Sequence, residues 1–153
     1  MKKDIVIFDL DGTLANIDAR RKLGTKEDGK MDWDVFFDPA NIKLDLPNDP
    51  VIKMAQMLKS SGYTILILSG RSKATKEATT SWLKEHDVPY NVIKLRPTGH
   101  PWKFMPDEKL KKSWLTDLTD PDRVMCVFDD RDKVVKMWRD NGLTCFQVAE
   151  GTF

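Results

Sequence analysis

The chain has 153 residues, of which 41% are hydrophobic and 32% charged, and its formal net charge at pH 7 is +1. This length predicts one domain with a substantial core, and the balanced charge excludes a nucleic-acid binder that relies on a strong overall positive field. The sequence shows no apolar segment long enough for a membrane span and no secretory signal, so we expect a cytoplasmic protein.

The first predicted element is a buried strand that ends in two carboxylates. Residues 5–8 form a short, uninterrupted apolar run, which is typical of a strand buried on both faces. Asp9 and Asp11 follow, and because side chains two residues apart in an extended chain point the same way, both can face one site. Gly12 allows a sharp turn and the close approach of a ligand. Neighbouring carboxylates repel each other unless a cation lies between them, and such oxygen ligands suit Mg²⁺.

A calcium-binding loop or a solvated acidic turn would also place two aspartates close together. In a calcium loop that begins at Asp9, the sixth position is Gly and the twelfth is Glu, whereas this chain has Leu14 and Arg20 there. A solvated acidic turn does not require a buried strand before it. The sequence therefore favours a catalytic metal site at Asp9 and Asp11.

An insert, a helix and the second strand follow. Residues 15–48 are predicted to be a short insert with one helical turn, whose aromatic side chains pack beside the site. Residues 50–61 have apolar side chains at helical spacing, and Gly62 ends the helix. Residues 64–69 are the second buried strand, which ends in Ser69-Gly70-Arg71. A hydroxyl, a glycine and a cation at this place indicate phosphate binding, although Ser69 is also typical of a helix N-cap.

The second half of the chain continues the alternation of helices and strands. We expect helices at residues 73–86, from residue 107 onward and at 133–141, and strands at 91–95, 124–128 and 144–148. Leu110, Trp114 and Leu118 are predicted to form the inner face of the middle helix. The alternation predicts an α/β fold, in which a parallel sheet is covered by helices on both faces.

The fourth strand delivers two more carboxylates to the same edge of the sheet. Asp129 and Asp130 follow residue 128 directly. Adjacent acids alone are as typical of a capped helix start as of a metal site. Because the carboxyl ends of parallel strands meet at one edge, we expect this pair beside Asp9 and Asp11, and the metal site is favoured.

In this order the motifs resemble those of the haloacid dehalogenase superfamily of phosphohydrolases. The first motif is Asp9-x-Asp11-Gly12-Thr13, the second is Ser69, the third is a helical lysine, and the fourth is Asp129-Asp130. Within this superfamily, the chain resembles the 3′-phosphatase domain of bacteriophage polynucleotide kinase/phosphatase. That similarity covers nearly the whole chain and is carried by residues 8–15, Arg20, and residues 68–71, 129–131, 134–139 and 147–149.

The resemblance implies a fold and a domain organisation. It implies a five-stranded parallel sheet of order 5-4-1-2-3, counted along the chain, with a minimal cap or none. Residues 1–153 would form a single phosphatase domain, with the insert at about 15–48. The kinase domain of that family is missing here, so a free-standing phosphatase is expected, with a separate kinase or ligase as a candidate partner. Its location would be the host cytoplasm if a phage encodes it.

The resemblance also implies roles for the motif residues. Asp9 would be the nucleophile that forms an aspartyl-phosphate, and Asp11 the general acid and base. Mg²⁺ would bind the Asp9 carboxylate, the Asp11 backbone carbonyl and either Asp129 or Asp130, and the choice between these two stays open. The residues expected to bind phosphate or substrate are Gly12, Thr13, Arg20, Ser69, Gly70, Arg71, Lys109 and Arg131. Lys111 and Lys112 remain alternatives to Lys109, and the arginines either contact substrate or brace the site.

Three functions are compatible with this pattern. The first is removal of a 3′-phosphate from polynucleotide ends or nucleoside 3′-monophosphates, and the second is a small-molecule phosphatase such as a 5′-nucleotidase. The third, a catalytically inactive binding module, is disfavoured because Asp9 and Asp11 are both present. A site without a large cap stays open to a polymer end, which favours the first function.

Overall fold

The computed structural model describes residues 2–118 and 120–153, with only the backbone at residue 118. The predicted inward position of the Leu118 side chain therefore lies outside the described part. The strands are β1 (Ile5–Phe8), β2 (Ala15–Asn16), β3 (Leu46–Pro47), β4 (Thr64–Ser72), β5 (Val92–Arg96), β6 (Val124–Asp129) and β7 (Cys145–Gln147). The helices are α1 (Asp18–Gly24), α2 (Trp33–Phe36), α3 (Asp49–Ser60), α4 (Lys76–Glu85), α5 (Asp107–Leu118) and α6 (Asp132–Asp140).

A five-stranded parallel sheet forms the centre of the fold, in the order β5-β4-β1-β6-β7. Counted along the chain, these five strands read 3-2-1-4-5 from one edge and 5-4-1-2-3 from the other, which is the predicted order. The central strand β1 is buried at every position, as expected for a strand covered on both faces. The predicted α/β fold with a parallel sheet is confirmed.

Helices cover both faces of this sheet, because alternate side chains of each strand point to opposite sides. Val6 and Phe8 of β1 pack with side chains of α3 and α4, including Ile52 and Trp82. The intervening strand residues pack on the other face with side chains of α5 and α6. The sheet is therefore covered by one hydrophobic layer on each face. The carboxyl ends of the strands lie outside these layers and can carry polar side chains.

The insert contains more structure than the single helical turn that the sequence analysis expected. It holds α1, α2, a 3₁₀ turn at Pro39–Leu44 and an antiparallel ribbon in which β2 pairs with β3. Its aromatic residues differ in burial, since Phe36 lies in the core whereas Trp33 is 57% exposed. Helix α1 was not predicted in the polar stretch up to residue 30, because a short helix with charged residues at most positions has no clear apolar stripe.

Two smaller findings concern helix starts and membrane spans. Helix α4 begins at Lys76 rather than residue 73, because Lys73–Thr75 form a 3₁₀ turn, in which the Ser72 side chain accepts a hydrogen bond from the Ala74 N–H. Among the described residues, none of the helices combines the length and the apolar character that crossing a bilayer requires.

Candidate active site

The carboxyl ends of three neighbouring strands meet near the middle of one sheet edge. Asp9 follows β1 directly, Ser69 lies in β4, and Asp129 is the last residue of β6. The backbone N–H of Asp9 donates to the carbonyl oxygen of Phe128 at 2.9 Å, which holds the turn after β1 against β6. Residues that are far apart in the sequence thus share one site, as the sequence analysis expected for a parallel sheet.

Asp9, Asp129 and Asp130 form an acidic cluster at this edge. One carboxylate oxygen from each lies within 4.8 Å of the others, and all three residues are buried. Thr13 Oγ1 donates to Asp9 Oδ2 at 3.0 Å. Lys111 Nζ donates to Asp9 Oδ1 at 2.8 Å and to Asp129 Oδ2 at 3.0 Å. Both oxygens of Asp9 are therefore held in place by hydrogen bonds.

The charges within the acidic cluster do not balance. Lys111 supplies one positive charge against three carboxylates. Burial and the neighbouring Asp129 raise the pKa of Asp9 well above its usual range, although Lys111 opposes them. Burial also raises the pKa of Asp130 to about 6. A divalent cation would balance the two remaining negative charges, and carboxylate oxygens are the donors that Mg²⁺ prefers, so the acidic cluster fits the predicted metal.

The structure places Lys111, rather than Lys109, at the acidic cluster. Lys109 is exposed, whereas Lys111 is only 2% exposed and contacts two of the three carboxylates. Burial alone would lower the pKa of Lys111, but Asp129 and Asp9 raise it above its usual value, so the side chain is fully protonated. The assignment of Lys109 is corrected by two positions. Lys111 lies three residues before Trp114 and so shares its inward-facing side of α5, which helical spacing could have shown.

Asp11 lies outside the acidic cluster, because two arginines hold its side chain. Arg20 Nη2 donates to Asp11 Oδ1 at 2.7 Å, and the Arg71 guanidinium donates to the same oxygen through Nη2 and, at 3.2 Å, through Nε. Burial opposes the charged form of Asp11, but Arg71 and Arg20 outweigh it and lower the pKa of this carboxyl. The Asp11 side chain is 20% exposed, so part of it remains accessible to solvent.

Asp45 is a second carboxylate partner of the two arginines that contact Asp11. It accepts hydrogen bonds from Arg20 Nε and Nη2, both at 2.9 Å, and from Arg71 Nη2 at 3.0 Å. The side chains of Arg20, Arg71 and Asp45 are fully buried. Arg20 and Arg71 therefore brace Asp11 rather than lie open to a substrate, which decides between the two roles that the sequence analysis left open for them.

A family model described as the polynucleotide kinase PNKP phosphatase domain matches residues 3–153 of this chain. The chain belongs to this family. The resemblance to haloacid dehalogenase phosphatases is thereby confirmed, and the protein is a phosphoric monoester hydrolase.

Solved structures agree with membership of the PNKP phosphatase-domain family. A chain of the Pnkp1/Rnl/Hen1 complex is 31% identical with a TM-score of 0.79, and the match covers 99% of this chain and 48% of that one. A chain of the Pnkp1/Rnl/Hen1 RNA repair complex is 32% identical with a TM-score of 0.78, over 97% of this chain and 43% of that one. This chain thus spans less than half the length of either. A hydrolase of the haloacid dehalogenase-like family from Streptococcus pneumoniae, 16% identical with a TM-score of 0.63 over 94% of this chain and 83% of its own, shares the fold.

Glycine is required at two positions on this edge of the sheet, because a carboxylate lies close to the backbone at each of them. Gly12 has a φ of +84°, and a Cβ atom there would overlap the Asp130 carboxylate. A Cβ atom on Gly70 would overlap the Asp107 carboxylate.

Ser69 is buried, and its Oγ accepts a hydrogen bond from the Arg71 N–H at 3.1 Å, which leaves its hydroxyl hydrogen available to a phosphate oxygen.

Arg131 lies at the rim of the site in this member of the PNKP phosphatase-domain family. Its Nη1 donates to Asp107 Oδ2 at 3.0 Å, and its side chain is 31% exposed. Arg96 also donates to the Asp107 carboxylate. Asp107 and Asp45 were not singled out in the sequence. An aspartate at the first position of a helix is typical of a favourable helix start. The sequence around Asp107 therefore gives no indication that this side chain also pairs with Arg96 and Arg131.

We expect Asp45→Asn to destabilise the fold strongly. The substitution leaves two buried guanidinium groups with Asp11 as their remaining carboxylate partner, and breaking a buried ion pair costs about 3–5 kcal/mol. Urea unfolding followed by far-UV circular dichroism measures the loss. Asp4→Asn is the matched control, because Asp4 pairs with a partly exposed Arg123 and should lose much less stability. Equal free energies of unfolding for the two variants would contradict the role of Asp45.

Proposed function

We propose that this chain is a Mg²⁺-dependent phosphatase that uses Asp9 as its nucleophile and removes 3′-phosphates from polynucleotide ends or nucleoside 3′-monophosphates. The observation that carries the proposal is the environment of Asp9. Thr13 and Lys111 orient its two carboxylate oxygens, and Asp129 and Asp130 lie beside it. A single domain with one insert at about 15–48 is part of this proposal.

The proposed reaction has two transfers of the phosphoryl group. An Asp9 carboxylate oxygen attacks phosphorus while the bond to the ester oxygen breaks, and the departing oxygen takes a proton from Asp11. Water then attacks the phosphorus of the aspartyl-phosphate and gives a proton to Asp11, which frees inorganic phosphate and restores the Asp9 carboxylate. A carboxylate nucleophile thereby divides one difficult hydrolysis into two easier steps.

The arginine pair suits Asp11 for the proposed role. Arg71 and Arg20 lower the pKa of this carboxyl, which favours its role as the base that accepts the proton of the attacking water in the second transfer. The proton that Asp11 gives to the departing oxygen in the first transfer would come from the monoanionic phosphate ester when that ester binds. The three hydrogen bonds that Asp11 accepts from Arg20 and Arg71 all go to its Oδ1. Oδ2 is the oxygen that would exchange protons with the leaving group and with water.

Lys111 and Ser69 are proposed to bind the phosphoryl oxygens. Lys111 carries a full positive charge beside Asp9, and Ser69 has a free hydroxyl hydrogen at the adjacent strand end. Donors that are fixed before the reaction stabilise the charge that develops on those oxygens. Asp9, Asp129 and Asp130, with the predicted Asp11 carbonyl, would hold Mg²⁺, which when bound supplies a Lewis acid and screens these carboxylates from phosphate.

The choice of a 3′-phosphate substrate is supported by the family and by its relatives. Two chains with 31% and 32% identity occur in complexes with Rnl and Hen1, one of them described as an RNA repair complex. A phosphatase of this kind would act on nucleic-acid ends beside a separate kinase or ligase. A net charge of +1 indicates that few phosphates are contacted, so the salt dependence of binding should be shallow.

A single comparison of substrates tests this proposal. Phosphate release is measured from a 3′-phosphorylated oligonucleotide, a nucleoside 3′-monophosphate and a nucleoside 5′-monophosphate, with Mg²⁺ and with excess EDTA. We expect kcat/KM to be higher for both 3′-phosphates than for the 5′-phosphate, and EDTA to abolish release from all of them. Preference for the 5′-phosphate would instead establish a small-molecule phosphatase, and activity that survives EDTA would exclude the metal.

A further inference from the structure

A cleft of about 380 Å³ opens directly beside the acidic cluster. Gly12 and Asp130 form its inner end and belong to the site described above. Leu46 of β3, Arg21 of α1 and Phe153 line its outer part. None of these three residues takes part in the proposed chemistry, so the cleft extends the site in one direction beyond the reacting atoms.

The outer part of the cleft exposes apolar surface on a fixed framework. Leu46 is 63% exposed and Phe153 is 48% exposed. The Phe153 ring lies under the Arg21 guanidinium at 4.4 Å, and its carbonyl oxygen accepts a hydrogen bond from Arg131 Nε at 2.6 Å. Leu46 lies in the short ribbon formed by β2 and β3. The apolar walls are thus held in position before any ligand arrives.

The polar residues of the cleft argue against a second phosphate group. Asp18 and Glu150 also line it, and their carboxylates would repel an anion. Carboxylates do accept hydrogen bonds from sugar hydroxyls and from the amino groups of bases. An aromatic side chain and an arginine beside these acceptors match a flat, neutral ring that carries a sugar.

We propose that this cleft binds the nucleoside that carries the scissile phosphate, with its base against Leu46 and Phe153. The inference rests on the proposed function, because it takes the phosphate to lie at Asp9. The cleft volume lies near the lower end of the range of about 300–1,000 Å³ found for small-molecule sites. One nucleoside fills such a space, so the terminal nucleotide supplies the recognition and the rest of a polymer contributes little.

The test compares two secondary phosphate esters that differ in the presence of a nucleoside. Kinetic parameters for adenosine 3′-monophosphate and for glycerol 2-phosphate are measured with the wild-type chain and with Leu46→Ala and Phe153→Ala. We expect wild-type kcat/KM to be at least about tenfold higher for the nucleotide. Phe153→Ala should raise the KM for the nucleotide by about tenfold, since one base–aromatic contact has this magnitude. Leu46→Ala should raise the same KM as well, because it removes apolar contact area. The KM for glycerol 2-phosphate should change by less than about twofold, because this ester has no base.

Met57→Ala is the matched control, since Met57 is a 54% exposed side chain of α3 that does not line the cleft. It should change neither KM. Phe153→Leu retains apolar surface and should restore most of the affinity that Phe153→Ala loses. If wild-type kcat/KM is equal for the two esters, or if both variants leave the nucleotide KM unchanged, the cleft does not bind the nucleoside and only this inference fails. If neither ester releases phosphate but a 3′-phosphorylated oligonucleotide does, the terminal nucleoside is not sufficient for recognition and only this inference fails. If the oligonucleotide releases no phosphate either, the proposed function fails and this inference fails with it.

Discussion

Asp9→Asn should reduce kcat for phosphate release by about 10⁴-fold or more, because loss of a catalytic nucleophile has effects of this size. Asparagine has nearly the same volume and can still accept the Thr13 hydrogen bond, so the geometry around it is retained. It lacks the negative charge that attacks phosphorus. Steady-state phosphate release with saturating substrate and Mg²⁺ measures the effect.

In the absence of Mg²⁺, the same variant should fold at least as stably as the wild-type chain. Burial and Asp129 raise the pKa of Asp9, which shows that its charged form is disfavoured where it stands. Removing that charge relieves the repulsion from Asp129 and Asp130, at the expense of one hydrogen bond from Lys111. Loss of activity together with unchanged or greater stability is the pattern expected of a residue that is retained for catalysis.

A covalent intermediate gives an independent test of the nucleophile. Acid-quenched wild-type protein should carry a phosphate adduct on the peptide that contains Asp9, whereas Asp9→Asn should carry none. Asp117→Asn, which changes an exposed aspartate of α5, is the control and should retain the adduct and the activity. An Asp9→Asn variant with near wild-type activity, or an adduct at a different residue, would refute the nucleophile assignment.

Much of the fold could be predicted because its strands are short apolar runs with clear ends. The first strand was predicted at residues 5–8 and is β1, and the second and fourth strands begin at Thr64 and Val124 as expected. The carboxylates of the acidic cluster could be predicted for the same reason. Asp9, Asp129 and Asp130 follow strands directly, and parallel strand ends converge whatever the details of packing.

The insert could not be predicted to the same depth, because its structure depends on distant partners. Asp45 lies in a connector with no periodic pattern, yet it is bonded to Arg20, 25 positions earlier, and to Arg71, 26 positions later. The Trp82 indole N–H also donates to the Asp45 carbonyl oxygen at 3.0 Å. Contacts of this kind leave no local signal in the sequence. A buried aspartate between two arginines becomes visible only in three dimensions.

The lysine illustrates a different source of error, which is register along a helix. The resemblance favours Lys109 as the phosphate-binding lysine and leaves Lys111 and Lys112 as alternatives. The structure brings Lys111 to Asp9 instead. Residues three apart share a helix face, so Lys111 and Trp114 point inward together, whereas a residue five before Trp114 points away.

Lys111→Gln should therefore reduce kcat by about 10²–10³-fold, which is the usual effect of removing one donor to a developing negative charge. Lys109→Gln is the matched control on the same helix and should change kcat by less than about twofold, because Lys109 is exposed. Phosphate release under saturating substrate measures both. Far-UV circular dichroism establishes whether each variant is folded, since Lys111 is buried against Asp9 and Asp129.

Lys111→Arg separates the charge of this side chain from its shape. Arginine keeps the positive charge that opposes the raised pKa of Asp9, but its planar head is larger than an ammonium group and donates in a fixed fork, so it cannot reproduce the contacts of one Nζ atom with Asp9 and Asp129. We expect it to remain folded and to recover only part of the activity lost in Lys111→Gln. If instead Lys109→Gln is inactive and Lys111→Gln retains kcat, then Lys109 rather than Lys111 binds the phosphoryl group, and the assignment drawn from the sequence stands against the structure.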